Sequence, residues 1–202
     1  MYLTDDEKKM RDGHLGEALS IAMSILVDLG EAINAPEMAE ITHVHTDSGI
    51  GCGRQNRTKA SSMATIVKCR PLVAGHGRGK ILITQQNISF WGGVDPLNGM
   101  IIDPRHELFD QSIPGRILAF PYGKGSAAAP LVLLELAKQT TAPAAIINIE
   151  TDPLLVAGPI ISKHFYGTSF PVVTLARAAF DRLQTGQAAT VDGVKGEIVI
   201  SG

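Results

Sequence analysis

The sequence predicts an α/β domain of about 140 residues, preceded by a short helical segment. Three observations support this fold class. Residues 1–46 carry apolar positions at helical spacing, residues 47–63 are polar and rich in glycine and serine, and from residue 64 strand-like runs alternate with two helix-like runs. We therefore predict a helical segment over 1–46, a linker over 47–63 and the α/β domain over 64–202.

The helical segment is predicted from its first turn and from one apolar stripe. Thr4 and Glu7 have the spacing of a capping box at a helix start. Leu19, Met23 and Leu26 then recur at helical spacing within a strongly apolar run. A helix this apolar has to pack against another surface, either within the chain or on a partner.

The α/β domain is predicted from eight apolar runs. Two of them are helix-like, PLVLLELAKQ and DPLLVAGPIISKHF, and Pro159 is expected to shorten or kink the second. The glycine-rich GHGRG is predicted to form a turn. Strands alternating with two helices indicate an α/β or β/β/α domain. The strand-like runs are ATIVKCRPLVAG, GKILIT, GRILAFP, AAIINI, FPVVTL and GEIVIS.

Composition argues against several function classes. The 202 residues include 18 basic and 20 acidic side chains, for a formal net charge of −2. The chain has no surplus of basic residues that would favour binding to nucleic acid or to an anionic membrane. The opening residues are charged where a signal peptide is apolar, and no apolar run approaches the roughly 18 residues needed to span a bilayer. We expect a cytoplasmic protein that binds neither nucleic acid nor membrane.

The histidines and cysteines do not predict a metal site in this chain. Cys52 and Cys69 form no C-x-x-C pair, and two cysteines cannot supply the usual three or four ligands of an iron–sulfur cluster. His43 and His45 form an H-x-H pair, which has no third ligand nearby in the sequence. We expect two thiols without a metal.

The stretch PYGKGSAAAP at 121–130 is the first candidate site, because it joins a strand-like run to a helix-like run. The order Gly123-Lys124-Gly125-Ser126 does not fit a P-loop, and Ala128 excludes a G-x-G-x-x-G fingerprint. Glycines allow close approach of a ligand, and a helix N-terminus favours an anion. Two interpretations remain: a site for an anion or carboxylate, or a turn whose serine caps the helix.

The stretch 89–107 is the second candidate. It contains Trp91, the one tryptophan, beside two glycines, and it ends with Arg105 and His106. Conformationally demanding loops often carry function. The alternative is that Phe90 and Trp91 only close one edge of the core.

Four motifs in one order now give a resemblance to a known family. The motifs are SFWGGVDP, IIDPRH, PYGKGS and TAPAAI. Together they resemble the small, swivelling subunit of the aconitase X family over residues 64–176 and onward. The segments MYLTDDEKKMRDGHLGEAL and THVHTDSG resemble the start of the large, catalytic subunit of the same family, over about the first 50 residues.

The resemblance implies a swivelling β/β/α domain of aconitase type and a hydro-lyase reaction. In this family an iron–sulfur cluster in the large part acts as Lewis acid on the leaving hydroxyl. A serine of the small part removes the proton, and motif alignment assigns this role to Ser126. The alignment places Gly123, Lys124 and Gly125 around the substrate. No cofactor is then expected on this chain itself.

The resemblance also implies a partner and a choice of substrates. The expected partner is a large catalytic subunit of aconitase X type, without which the chain is expected to be inactive. The preferred small-molecule substrate is cis-3-hydroxy-L-proline. The alternatives are a small subunit that acts on mevalonate 5-phosphate, and a non-catalytic interaction protein on the same fold.

Overall fold

A computed structural model describes residues 64–124 and 126–201, together with the backbone of 41–44. The predictions for residues 1–40, for the linker 47–63 and for the conformation of Gly125 lie outside the described residues.

The described elements confirm the predicted alternation of strands and helices from residue 64 onward. Three helices are described, α1 (Ala129–Lys138), α2 (Pro153–Tyr166) and α3 (Arg177–Phe180). The described strands are β1 (Ile41–Val44), β2 (Ala64–Lys68), β3 (Arg70–Val73), β4 (His76–Ile83), β5 (Ile117–Ala119), β6 (Ala145–Asn148), β7 (Val172–Thr174), β8 (Ala188–Asp192) and β9 (Glu197–Ser201).

The strands form one mixed sheet in the order β1-β2-β9-β8-β4-β5-β6-β7-β3. Strands β4 to β7 are parallel neighbours, and the other pairs are antiparallel. Strands β2 and β3 lie near opposite ends of this order, although only Cys69 separates them in the chain. The sheet therefore has to curl back on itself.

The parallel strands are buried on both faces, as their apolar runs predict. Leu118, Ile146 and Val172 pack in the core that also contains α1 and α2. Ile117 and Ile147 point the opposite way, into the core enclosed by the curled sheet. This alternation follows from the two-residue period of a strand. Helices α1 and α2 thus cover one face of β4–β7, and antiparallel strands together with α3 cover the other.

Helices α1 and α2 pack closely because one of them carries a glycine at the contact. A Cβ atom on Gly158 would lie 2.5 Å from Cβ of Leu133. The predicted effect of Pro159 on helix length is wrong, because α2 continues through it to Tyr166. The helix ends at Gly167, whose φ of 66° is the left-handed conformation typical of a helix C-terminus.

Two further predictions need correction. The stretch Ile41–Val44 falls within the segment 1–46 predicted as helical, but it forms strand β1 and pairs with β2. The GHGRG run is strand rather than turn, because β4 already begins at His76. Its glycines serve close packing: a Cβ on Gly77 would lie 2.1 Å from the carbonyl oxygen of Ala144. Strand β8 and helix α3 were not predicted.

Candidate functional site

The loop at 120–128 leaves the sheet at the carboxyl end of β5 and leads into α1. Strands β4, β5, β6 and β7 are parallel, so their carboxyl ends meet at one edge. Ligands of open parallel sheets bind in the crevices outside these ends. The fold therefore places the first candidate stretch where a site is expected.

Hydrogen bonds from two sides hold this loop. The amide of Asn148 donates to the carbonyl oxygen of Phe120 at 2.9 Å, and the backbone N–H of Ile149 donates to that of Pro121 at 3.1 Å. On the other side, the N–H of Lys124 donates to the carbonyl oxygen of Ile88 at 2.8 Å. Asn148 is fully buried, so the base of the loop is fixed from within the core.

Ser126 lies one short turn before helix α1. Its Oγ atom accepts a hydrogen bond from the N–H of Ala128 at 3.2 Å, and its carbonyl oxygen accepts from Ala129 at 2.9 Å. The N-cap residue of α1 is Ala128 rather than Ser126. The serine therefore makes a turn-forming bond without being the cap itself, and its partly exposed hydroxyl lies next to a helix N-terminus.

Lys124 points toward a cleft of about 480 Å³ that three loops form. Its other lining residues come from the end of β4 and from the second candidate stretch; they are Gln85, Gln86, Asn87, Asp103, Arg105 and His106. The structure thus brings Lys124 together with Arg105 and His106, which the sequence places about 20 residues apart. Ser126 follows Lys124 by two residues but does not line this cleft.

Glu107 attaches the second candidate stretch to the end of β4. Its carboxylate accepts hydrogen bonds from the hydroxyl of Thr84 and from the N–H of Gln85, the latter at 2.9 Å. Its own N–H donates to the side-chain oxygen of Gln86 at 3.1 Å. The Thr84 hydroxyl, more than any other group, lowers the pKa of Glu107, so this carboxylate is ionised at neutral pH.

Arg105 is held over the cleft by a neighbouring carboxylate. Its backbone N–H and its Nε both donate to Oδ1 of Asp103, each at 3.1 Å. The side-chain hydrogen bond from Arg105 is the main cause of the lowered pKa of Asp103. The guanidinium otherwise remains strongly exposed.

His106 is a buried histidine at the wall of the cleft, with only 9% of its surface exposed. Its Nδ1 accepts a hydrogen bond from the N–H of Leu108 at 3.1 Å. Among the described residues its Nε2 has no hydrogen-bond partner. Burial lowers the pKa of His106, so the ring is neutral at pH 7. The accepted bond at Nδ1 then places the proton on Nε2.

The tryptophan of the second stretch is not part of the core. Trp91 is 61% exposed, whereas Phe90 is buried and makes an edge-on contact with Phe120 at a centroid distance of 6.0 Å. The expectation that both aromatic residues close one edge of the core therefore holds for Phe90 but not for Trp91.

The described residues do not fit an iron–sulfur cluster. Within them, no three His, Cys, Asp or Glu side chains are grouped to hold a metal ion. Cys69 is buried between β2 and β3, and burial is the main cause that raises the pKa of its thiol to about 12. It is thus a protonated thiol rather than a ligand. Only the backbone of His43 is described, and Cys52 and His45 lie outside the described residues.

Sequence reasoning missed Asn148 and the amides Gln85, Gln86 and Asn87. A signal was present, because these polar residues sit at or directly after the apolar runs GKILIT and AAIINI. Polar side chains at the ends of parallel strands commonly face a site.

Two family models match the chain and together cover nearly all of it. The aconitase X first domain matches residues 1–74, and the aconitase X swivel domain matches residues 66–200. The chain belongs to the aconitase X family. This confirms the predicted swivelling domain. No helix in the described part of this aconitase X chain is long and apolar enough to cross a membrane.

Individual relatives give the same family. The phosphomevalonate dehydratase small subunit of Methanosarcina acetivorans is 39% identical over 133 residues, which is 65% of this chain and 88% of that protein. The cis-3-hydroxy-L-proline dehydratase of Pseudomonas aeruginosa is 42% identical over 120 residues, which is 59% of this chain and 20% of that protein. The crystal structure of Thermococcus kodakaraensis aconitase X in its holo-form matches with a TM-score of 0.60 and 36% identity, covering 67% of this chain and 97% of that one.

Proposed function

We propose that this chain is the small component of an aconitase X-type dehydratase and that Ser126 is its proton-abstracting base. The observation that carries the proposal is the position of Ser126, at the carboxyl edge of the parallel strands and beside the N-terminus of α1. Membership of the family and the dehydratase names of two relatives support the reaction class.

The reaction removes a proton and a hydroxyl from adjacent carbons. Ser126, as the alkoxide, takes the proton, and the electron pair of the broken C–H bond forms the new C=C bond. The C–O bond breaks, and the leaving hydroxyl takes up a proton from solvent and departs as water. A serine alkoxide needs nearby donors and positive charge. The N–H of Ala128 at 3.2 Å and the start of α1 supply donors, and Lys124 supplies charge two residues away. Gly123 and Gly125 give the loop a backbone that a substrate can approach closely.

The second half of the active site belongs to a large catalytic subunit in this proposal. When bound there, an iron–sulfur cluster would supply Lewis acidity at the leaving hydroxyl. Two observations support a separate cluster-bearing part. Among the described residues no three His, Cys, Asp or Glu side chains are grouped to hold a metal, and the first-domain match stops at residue 74. We expect the chain alone to show no dehydratase activity.

Two substrates are supported by different observations. This chain matches both the first domain and the swivel domain of the family. The cis-3-hydroxy-L-proline dehydratase is several times longer than the region it shares with this chain, so it is long enough to contain both domains in one chain. This favours cis-3-hydroxy-L-proline as the substrate. The phosphomevalonate dehydratase small subunits favour mevalonate 5-phosphate instead. This chain aligns with 88% or more of the length of three of them. We retain hydroxyproline as the first candidate and mevalonate 5-phosphate as the second.

The test combines the full chain with a cluster-loaded large subunit of aconitase X type and assays both substrates. Ser126→Ala should lower kcat by at least about 100-fold, the usual contribution of a general base. Ser112→Ala is the matched control and should stay within about twofold of wild type, since Ser112 is also partly exposed but pairs with Met100, outside the 120–128 loop and the cleft.

Two results would contradict the proposal in different ways. Equal activity of wild type and Ser126→Ala would show that another group is the base. Failure to form a complex with the large subunit at micromolar concentration, together with no activity on either substrate, would favour a non-catalytic interaction protein.

A further inference from the structure

The cleft beside Lys124 carries a cation that forms no ion pair within the described part of the chain. Two cations, Lys124 and Arg105, face one carboxylate, that of Asp103. Asp103 is already bound to Arg105 through Nε at 3.1 Å. Within the described part of the chain, Lys124 has no carboxylate partner. The ionised Glu107 lies behind His106, where Thr84 and Gln85 bind its carboxylate, so Lys124 remains available to a ligand.

His106 adds a hydrogen-bond donor that also lacks an acceptor. Its Nδ1 is occupied by the N–H of Leu108, and its protonated Nε2 has no partner among the described residues. A buried donor without an acceptor costs about 1–3 kcal/mol, and such groups are rare in native structures. A buried donor without an acceptor at the wall of a cleft therefore indicates that a ligand supplies the acceptor.

The second stretch is held rigidly enough to act as part of a site. Glu107 follows His106 directly and binds Thr84 and the N–H of Gln85 through its carboxylate. Its backbone N–H donates to Gln86. These contacts fix the turn that carries the arginine and the histidine against the end of β4.

We propose that this cleft binds the anionic group of the substrate, a carboxylate or a phosphate. Lys124 and Arg105 provide the charge, and Nε2 of His106 provides a neutral donor. Nε2 is buried beside the cleft rather than exposed in it, so the side chains that cover it have to shift for the anion to accept its proton. The inference rests on the proposed dehydratase function and assigns to Arg105 and His106 a role in substrate binding.

The position of the cleft suits the chemistry of the first candidate substrate. In cis-3-hydroxy-L-proline the carboxylate is attached to the carbon next to the one that carries the hydroxyl. Removal of the proton from that carbon transfers negative charge onto the carboxylate. Cations that hold the carboxylate therefore stabilise the developing charge. Lys124 is only two residues from Ser126, so one loop would serve both steps.

The first experiment measures anion binding to the full chain without a partner. Inorganic phosphate and acetate are titrated separately at pH 7, and the imidazole nitrogen signals of His106 are followed by NMR. Lys124→Met and Arg105→Gln should each weaken binding about tenfold, as expected for one charged hydrogen bond. Lys138→Met and Arg78→Gln are the matched controls, because Lys138 is on the last turn of α1 and Arg78 lines a different pocket.

Two substitutions at His106 separate the hydrogen bond that Nε2 donates to the anion from the structural hydrogen bond that Nδ1 accepts. In His106→Asn the side-chain oxygen can replace Nδ1 as acceptor for Leu108, but no group remains at the Nε2 position. His106→Gln places an amide near that position instead. We expect His106→Asn to weaken anion binding about tenfold and His106→Gln to retain most of it. Equal binding by both variants and wild type would overturn the role of His106.

The second experiment repeats the variants in the complex with the large subunit. Lys124→Met and Arg105→Gln should raise KM and also lower kcat, because these cations both hold the anion and stabilise the charge that develops on it. Ser126→Ala should lower kcat with KM little changed. If both cleft variants have a normal KM while the reaction still depends on Ser126, the cleft does not bind the anionic group of the substrate, and the proposed function stands. Saturable anion binding by the chain, together with no dehydration of either substrate by the complex, would leave the anion site standing and refute the proposed function. A preference for phosphate over acetate would favour mevalonate 5-phosphate, and weak binding of both that the variants do not change would overturn the inference.

Discussion

Asn148 links the core to the candidate active-site loop, and its replacement by aspartate tests that link. The side chain is fully buried at the carboxyl end of β6. Its Nδ2 donates to the carbonyl oxygen of Phe120 at 2.9 Å, and its Oδ1 accepts from the hydroxyl of Thr151 at 3.2 Å. Aspartate has the same shape and keeps the acceptor for Thr151. It replaces the donor that faces Phe120 with a second acceptor.

The expected loss of stability follows from these contacts. At pH 7.5 Asn148→Asp leaves a buried carboxylate facing a carbonyl oxygen, and an uncompensated buried charge costs about 3–5 kcal/mol. Asn148→Ala leaves only an unsatisfied carbonyl and a small cavity, for about 2 kcal/mol. Thr151→Ala is the control for the acceptor side, and removing that single hydrogen bond should cost about 1 kcal/mol.

The pH dependence of Asn148→Asp provides a second check. Burial raises the pKa of a carboxyl above its unfolded value, so the folded state takes up a proton that the unfolded chain does not hold. The variant is therefore least impaired near or below the unfolded pKa, and it loses stability as the pH rises through the higher folded pKa. A protonated carboxyl also regains a donor for Phe120.

The assay is urea unfolding of the full chain at pH 7.5 and pH 5. The free energy of unfolding is obtained from the midpoint and the slope of each transition. The order of stability at pH 7.5 should be wild type, Thr151→Ala, Asn148→Ala and Asn148→Asp. The gap between wild type and Asn148→Asp should be smaller at pH 5. An Asn148→Asp variant within about 1 kcal/mol of wild type at pH 7.5 would refute the role assigned to this amide, since one hydrogen bond alone is worth about that much.

Three further predictions concern packing and titration. Gly158→Ala should lower stability by about 1–3 kcal/mol despite better helix propensity, because the new Cβ would lie 2.5 Å from Cβ of Leu133; a stability gain in urea unfolding would contradict this. In a Cys52→Ser background, the buried thiol of Cys69 should react with iodoacetamide at pH 8 only after unfolding, since burial raises its pKa to about 12; rapid native labelling would disprove its burial. Since burial lowers the pKa of His106 below its unfolded value, stability should fall as the pH drops from 7 through the folded pKa, and His106→Asn should show a shallower decline; parallel pH profiles would exclude this contribution.

The fold could be predicted to the extent that single elements carry their own signals. The parallel strands β5 and β6 are short apolar runs, and α1 is an apolar run at helical spacing. The sequence predicts the GKILIT part of β4 as a strand but the start of β4 as a turn, because glycine is a turn signal in sequence, whereas Gly77 is there to admit the carbonyl of Ala144. That contact joins residues 67 positions apart, and no local pattern reveals it.

The candidate site shows the same division between local and long-range information. The loop that carries Lys124 and Ser126 could be recognised from its own residues and from the motifs around it. The cleft beside it could not, because Lys124 meets Arg105 and His106 only after β4 and β5 pair in parallel. Burial of His106 is likewise a consequence of tertiary packing, and burial is what turns an ordinary histidine into a neutral donor without an acceptor. Arg105 and His106 also stand in a motif, IIDPRH, but their meeting with Lys124 at one cleft and the burial of His106 become visible only in the folded chain.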